Sequence, residues 1–150
     1  MLMSLRLNLL LFLLTFSLTA CNKEAKQSPL KSSRDASLCQ FSAGDCIKKV
    51  GDTQLKFNLS PVSAPSEKPL TLTLSSTLPI TNVNLRLEGR DMFMGIIPVK
   101  MQQSDDTTYI GNFVYGSCSS GYMVWRGFVS FSLNGQDHTV IVDFLADDNG

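Results

Sequence analysis

The 150-residue chain balances 13 Lys and Arg against 13 Asp and Glu, for a formal net charge of zero. With the signs scattered and no basic run, it lacks the electrostatic footprint of a nucleic-acid binder, and acidic substrates gain no attraction from it. After residue 21 no stretch is long and apolar enough to span a bilayer, and the remainder of the chain suits one domain with a modest core.

The chain opens with Arg6 and then an apolar run from Leu9 to Leu18, interrupted only by Thr15 and Ser17. A run this short, with a small residue before a cysteine at its end, is a secretory h-region and not a membrane span. Leu18-Thr19-Ala20-Cys21 resembles the lipobox of bacterial lipoproteins in order, spacing and position. The resemblance implies that residues 1–20 are a signal peptide and that Cys21 becomes the acylated N-terminus. Each buried methylene adds about 0.8 kcal/mol, so several acyl chains on one residue hold firmly. The expected address is the periplasmic face of a bacterial membrane, with the lipid as the membrane contact. Asn22 stands where many such proteins carry an aspartate that retains them at the inner membrane, which by analogy favours the outer one. Residues 21–37, rich in Lys, Ser and charge, read as a flexible tether, leaving 38–150 for the domain.

From there the signals are almost wholly β. Thr53 to Ser60 alternates, with Leu55, Phe57 and Leu59 on one face, and Leu70, Leu72 and Leu74 repeat the pattern. In the next segment Val83, Leu85 and Leu87 point inward while Asn84, Arg86 and Glu88 face water. Ile97, Val99 and Met101 predict a short strand, with Pro98 pushing it to a sheet edge. The polar turn "QQSDD" leads into a strand over Thr108 to Tyr115, whose facing is ambiguous because both sides carry large residues. Met123, Trp125, Gly127, Val129, Phe131 and Leu133 form one face of a long strand. Asn134-Gly135 predicts a type I′ hairpin, and Val140, Val142 and Phe144 return inward. About seven strands at short spacing, without a convincing helix, predict an antiparallel immunoglobulin-like β-sandwich, with a closed barrel as the alternative.

With Cys21 assigned to lipid, Cys39, Cys46 and Cys118 remain, an odd number for an oxidising compartment. Cys39–Cys46 is the favoured pair, ahead of either cysteine with Cys118. It would close a small loop worth roughly 2.5 kcal/mol. Cys118 is then a leftover thiol in the Gly/Ser-rich turn "GSCSSG". Met92, Met94, Cys118 and Met123 lie in or beside predicted loops, and thiolate and thioether are the soft donors that select Cu(I). In an extended segment Met92 and Met94 would share a face while Phe93 turns away. Packing competes with this reading. Met123 opens the same period-two face as Trp125, Met94 suits a core gap, and Cys118 is as consistent with a buried thiol as with a ligand. His138 reads first as a structural histidine, with a metal role second.

The pattern Cys39-x6-Cys46, Gly89-x-x-Met92-x-Met94-Gly95, Cys118-x4-Met123-x-Trp125 resembles a group of uncharacterised periplasmic bacterial lipoproteins. More loosely, the later strands resemble the YtkA-like domains, small immunoglobulin-like modules associated with copper handling and oxidase assembly. That likeness implies a copper-related role. The sequence shows no nucleophile elbow, no C-x-x-C pair and no phosphate-cradling glycine pattern, and it has one histidine. The expectation is a lipid-anchored, non-enzymatic binding protein with Cu(I) as its ligand. The alternative is a module that docks on an envelope protein, its sulfurs only packing.

Overall fold

A computed structural model describes residues 35–148; the expected signal peptide, Cys21 and the expected tether up to residue 34 lie outside the described residues. Among the described residues no helix is long and apolar enough to cross a membrane. Within the described residues one 3-10 turn, Phe41–Ala43, precedes nine strands. These are β1 (Cys46–Val50), β2 (Thr53–Ser60), β3 (Leu70–Ser76), β4 (Thr81–Gly89), β5 (Ile96–Val99), β6 (Met101–Asp105), β7 (Thr108–Phe113), β8 (Val124–Leu133) and β9 (Gln136–Leu145).

The strands form two antiparallel sheets, ordered β1-β2-β3-β7-β6 and β5-β4-β8-β9. Omitting β1, the first sheet has the A-B-E-D order of an immunoglobulin-like sandwich and the second the C′-C-F-G order. Two open sheets exclude the closed barrel. Leu55, Phe57 and Leu59 of β2 and Leu70, Leu72 and Leu74 of β3 face Val83, Leu85 and Leu87 of β4 across one core. Trp125, Tyr115 and Phe144 fill one end of it, with the Tyr115 ring 5.0 Å from Trp125 and 6.1 Å from Phe144. The ambiguous strand resolves through Tyr109, Gly111 and Phe113, which point inward while Ile110 is half exposed. Asn134 and Gly135 take φ of 52° and 78°, the double positive φ of the type I′ turn.

Nine strands replace the expected seven for two reasons. β1 escapes the periodic pattern, because its Lys48-Lys49 centre obscures any apolar alternation; it pairs along its whole length with β2 through the Gly51-Asp52 turn. The predicted strand through Ile97, Val99 and Met101 is in fact two. The chain changes sheets at Lys100, so β5 pairs with β4 and β6 pairs with β7. Most of "QQSDD" is therefore strand, and the turn shrinks to Asp106-Thr107. Pro98 sits on the outer strand of its sheet, where a missing N–H costs nothing.

Cys39 and Cys46 are joined in a disulfide that brackets the 3-10 turn and sets Phe41 in the core, 6.1 Å from Phe144. Just before it, the chain lies along β9: Leu38 makes a parallel bridge to Asp143, and the Cys39 N–H donates to the Asp143 carbonyl at 2.7 Å. Asp35 and Ser37, the last residues assigned to the tether, touch the domain too, both accepting from Arg90 Nη1.

Candidate functional site

One end of the sandwich gathers the β4–β5 loop, the β7–β8 connection and the residues after β9. The Arg90 N–H donates to the Val124 carbonyl at 2.9 Å, which extends the β4–β8 ladder past Gly89. After β9, the Ala146 N–H donates to the Met123 carbonyl at 2.9 Å. The same end is closed by Tyr115, whose buried hydroxyl donates to the Ala64 carbonyl of the β2–β3 loop. Burial and the nearby Asp147 charge push that phenol well above its ordinary range.

Here the Cys118 Sγ and Met92 Sδ meet at 3.5 Å, the thiol donating to the thioether. Residues 26 apart in sequence are brought together because their loops share the end where β4 and β8 pair. Cys118 is half-buried and free of disulfide, and its sulfur lies 3.1 Å from the Ser120 Oγ. Hydrogen bonds from the Ser120 hydroxyl, and secondly its backbone N–H, hold the Cys118 thiol below its ordinary pKa, against a smaller opposing desolvation.

The β4–β5 loop is not the extended segment that would aim Met92 and Met94 the same way. It bends over residues 90–92 and closes on Gly95 at φ 81°. The two methionines therefore part: Met92 is 42% exposed and touches Cys118, whereas Met94 is half-buried against the core. Met123 is buried, as its period-two position predicts. The three methionines are nonetheless neighbours around Gly89, and Cys118 joins them through Met92. A Cβ on Gly89 would overlap the Met92 carbonyl and stand 2.7 Å from Met123 Cε and 3.3 Å from Met94 Cγ.

Arg90 fixes the start of the loop. Its guanidinium donates to the Asp91 carboxylate through Nε and Nη2, at 3.0 and 3.1 Å, and to Asp35 Oδ2 through Nη1 at 2.7 Å. The same Nη1 lies 3.7 Å from Asp143, a buried carboxylate on β9 that also receives Arg126 Nε and Nη2 at 2.8 Å each. Fork-to-fork geometry of this kind gives direction as well as energy. Neither Arg90 nor Ser120 stood out in the sequence. A charged residue in a turn reads as solvated, and "GSCSSG" offers several hydroxyls without saying which one reaches the sulfur.

His138 belongs elsewhere. Its ring packs 5.7 Å from Phe131 near the β8–β9 hairpin, six residues along β8 from Trp125 and so roughly 20 Å from the sulfurs. Among the described residues no three His, Cys, Asp or Glu side chains gather as a metal site. The sulfur group is the remaining donor set, and its fit to a metal can be judged. With metal–sulfur bonds of about 2.3 Å, the zinc–thiolate value, two ligand sulfurs stand roughly 3.8 to 4.6 Å apart. The 3.5 Å between Cys118 and Met92 needs only a small opening to reach that range.

No known family's sequence profile matches the chain, and no curated protein is significantly similar to it. Among solved structures it is similar to a DUF4785 family protein from Legionella pneumophila, at TM-score 0.47 and 14% identity, over 65% of this chain and 29% of that one. It is also similar to the GAE domain of GGA2p from Saccharomyces cerevisiae, at TM-score 0.38 and 12% identity, over 70% of this chain and 99% of that one. The chain thus spans under a third of the Legionella protein, and no residue role is carried over from either.

Proposed function

We propose that this chain is a lipid-anchored, non-enzymatic Cu(I)-binding protein of the bacterial envelope. Cys118 and Met92 supply the outer donors, and Met94 and Met123 the inner ones. The observation that carries this reading is the 3.5 Å approach of Cys118 Sγ to Met92 Sδ. One thiolate with thioethers makes a soft set that balances a monovalent cation, and harder divalent ions prefer the oxygen and imidazole donors that this end does not group together. The depressed Cys118 pKa favours the ligating thiolate. A non-catalytic role fits a chain whose one histidine lies far from the Cys118 thiol.

The test is competition for Cu(I) between the purified protein and a chromophoric chelator, run beside a Met92→Leu/Met94→Leu variant. Met→Leu conserves volume, so stability changes by less than about 1.5 kcal/mol while the donor atoms are lost. The reading expects binding by the parent and clear weakening in the variant. No binding at micromolar competition, or equal binding by both, removes it. Anchoring at Cys21 is tested separately: Cys21→Ser should move the protein from the membrane fraction to the soluble one.

A second reading is favoured by the apolar side chains beside the sulfurs. Phe93 is 88% exposed, and Ile96 and Tyr122 are also exposed. Such a surface suits docking on an envelope protein, with the sulfurs as packing. Under that reading the methionine variant leaves Cu(I) competition unchanged, whereas Phe93→Ser abolishes association.

A further inference from the structure

We infer that Gly89 positions the Cys118–Met92 pair: the missing side chain at residue 89 lets the β4–β5 loop fold down far enough for Met92 to reach Cys118. The inference rests on the copper reading for its function but not for its geometry. Gly89 closes β4 opposite Trp125 and keeps an ordinary negative φ, so backbone conformation does not call for glycine there. Space does.

The three atoms that a Cβ would meet are unequal. Met123 Cε and Met94 Cγ belong to flexible side chains, which can swing away. The Met92 carbonyl is backbone, and it moves only if the loop lifts. The loop cannot lift as a whole. Arg90 is fixed by its own N–H to Val124 and by its guanidinium to Asp91 and Asp35. Its far end is set by Gly95, whose φ of 81° favours glycine, and by the pairing of Ile96 with Glu88. Displacement therefore concentrates at Met92, whose sulfur is in contact with Cys118. The two glycines of "GRDMFMG" thus serve the loop for different reasons, Gly89 for room and Gly95 for conformation.

The experiment compares Gly89→Ala, Met92→Leu and the double variant in the purified full chain, in detergent. Alkylation of Cys118 is read on its own peptide by mass spectrometry, without metal and at one pH. Cu(I) competition is read in parallel. Gly89→Ala is expected to speed Cys118 alkylation several-fold and to weaken Cu(I) binding by about ten- to a hundredfold, the range for residues that orient metal ligands. The double variant should alkylate as Met92→Leu does, because both changes break the same contact. Parent-like alkylation in Gly89→Ala overturns the inference, as does full additivity in the double variant. If the parent holds no Cu(I) yet Gly89→Ala alters alkylation as expected, the copper reading fails and the positioning role stands. If Gly89→Ala does not fold, the same change is made on Met123→Ala, which removes the 2.7 Å contact and keeps the carbonyl overlap. Alkylation faster than in Met123→Ala alone then supports the inference. Failure of that variant to fold overturns it, since Gly89 would be a packing residue of the whole sandwich.

Discussion

Cys118 Sγ lies 3.5 Å from Met92 Sδ, joining two loops that the sequence separates by 26 residues. Ser120 completes the surroundings of the thiol: its hydroxyl lies 3.1 Å from the sulfur and 2.9 Å from the Tyr122 carbonyl, and its single proton is shared between the two acceptors. The hydroxyl is thus held in place by the same turn that carries the cysteine.

Replacing Ser120 with alanine should raise the pH at which Cys118 becomes reactive. The Ser120 hydrogen bonds favour the thiolate, so removing the larger of them returns the thiol towards its ordinary pKa. The rate of Cys118 alkylation against pH, read at that residue, should shift its midpoint upward with the plateau unchanged. A midpoint that stays put would mean that Ser120 does not set the ionisation.

Asp143 to alanine should destabilise the domain by about 1–3 kcal/mol in urea unfolding. Its carboxylate is buried on β9 and receives both Arg126 bonds at 2.8 Å, so truncation leaves two guanidinium groups without their shared acceptor. The cost is below that of a fully buried pair because Arg126 is 35% exposed and can be rehydrated. Arg126→Ala should cost less, since Arg90 still faces Asp143 at 3.7 Å. The reverse ranking would place the energy on the arginine.

Most of the sandwich was legible because its strands obey one rule. β2, β3, β4 and β8 each bury every second side chain, and the period shows through directly. β6 escaped because residues 102–105 are all exposed, so an edge strand wetted on both faces carries no period to read. The sulfur site was legible only as a set of donors without an arrangement. Met92 and Met94 share a face if the backbone is extended, and the bend at residues 90–92 breaks that condition. The pairing of Met92 with Cys118 depends on which strands are neighbours, and no local pattern encodes that β4 lies beside β8.

Acidification should release the segment before the disulfide ahead of the rest of the domain. Asp35 is lowered from 3.8 to about 2, chiefly by the Ser37 hydroxyl, then by the Ser37 N–H and the Arg90 guanidinium. A carboxyl depressed in the folded state contributes its stability in full above the unfolded pKa and loses it as pH falls through the folded one. The window here runs from just above 3.8 down to about 2. Protection of the Ser37 and Leu38 amides, taken relative to the intrinsic exchange rate at each pH, should fall across it while β8 amides stay protected. Simultaneous loss of protection in both would show that the segment has no separate opening.

Tyr115→Phe should cost only about 1 kcal/mol, although it removes a buried hydroxyl at the end where the sulfurs gather. The size of a lost hydrogen bond depends on what its partner does next. The Ala64 carbonyl that accepts from Tyr115 also accepts from the Asp147 N–H at 2.8 Å, so it is not left orphaned. The phenylalanine ring can keep its packing against Trp125 and Phe144, which hold the original ring at 5.0 and 6.1 Å. Tyr115→Ala removes these ring contacts, and that to Phe113 at 6.3 Å, and opens a cavity, so about 3–5 kcal/mol is expected. Urea unfolding of the two variants separates the hydroxyl from the ring. If Tyr115→Phe proved nearly as costly as Tyr115→Ala, the bond to Ala64, rather than aromatic packing, would be what fastens the β7–β8 connection, and with it Cys118, to the core.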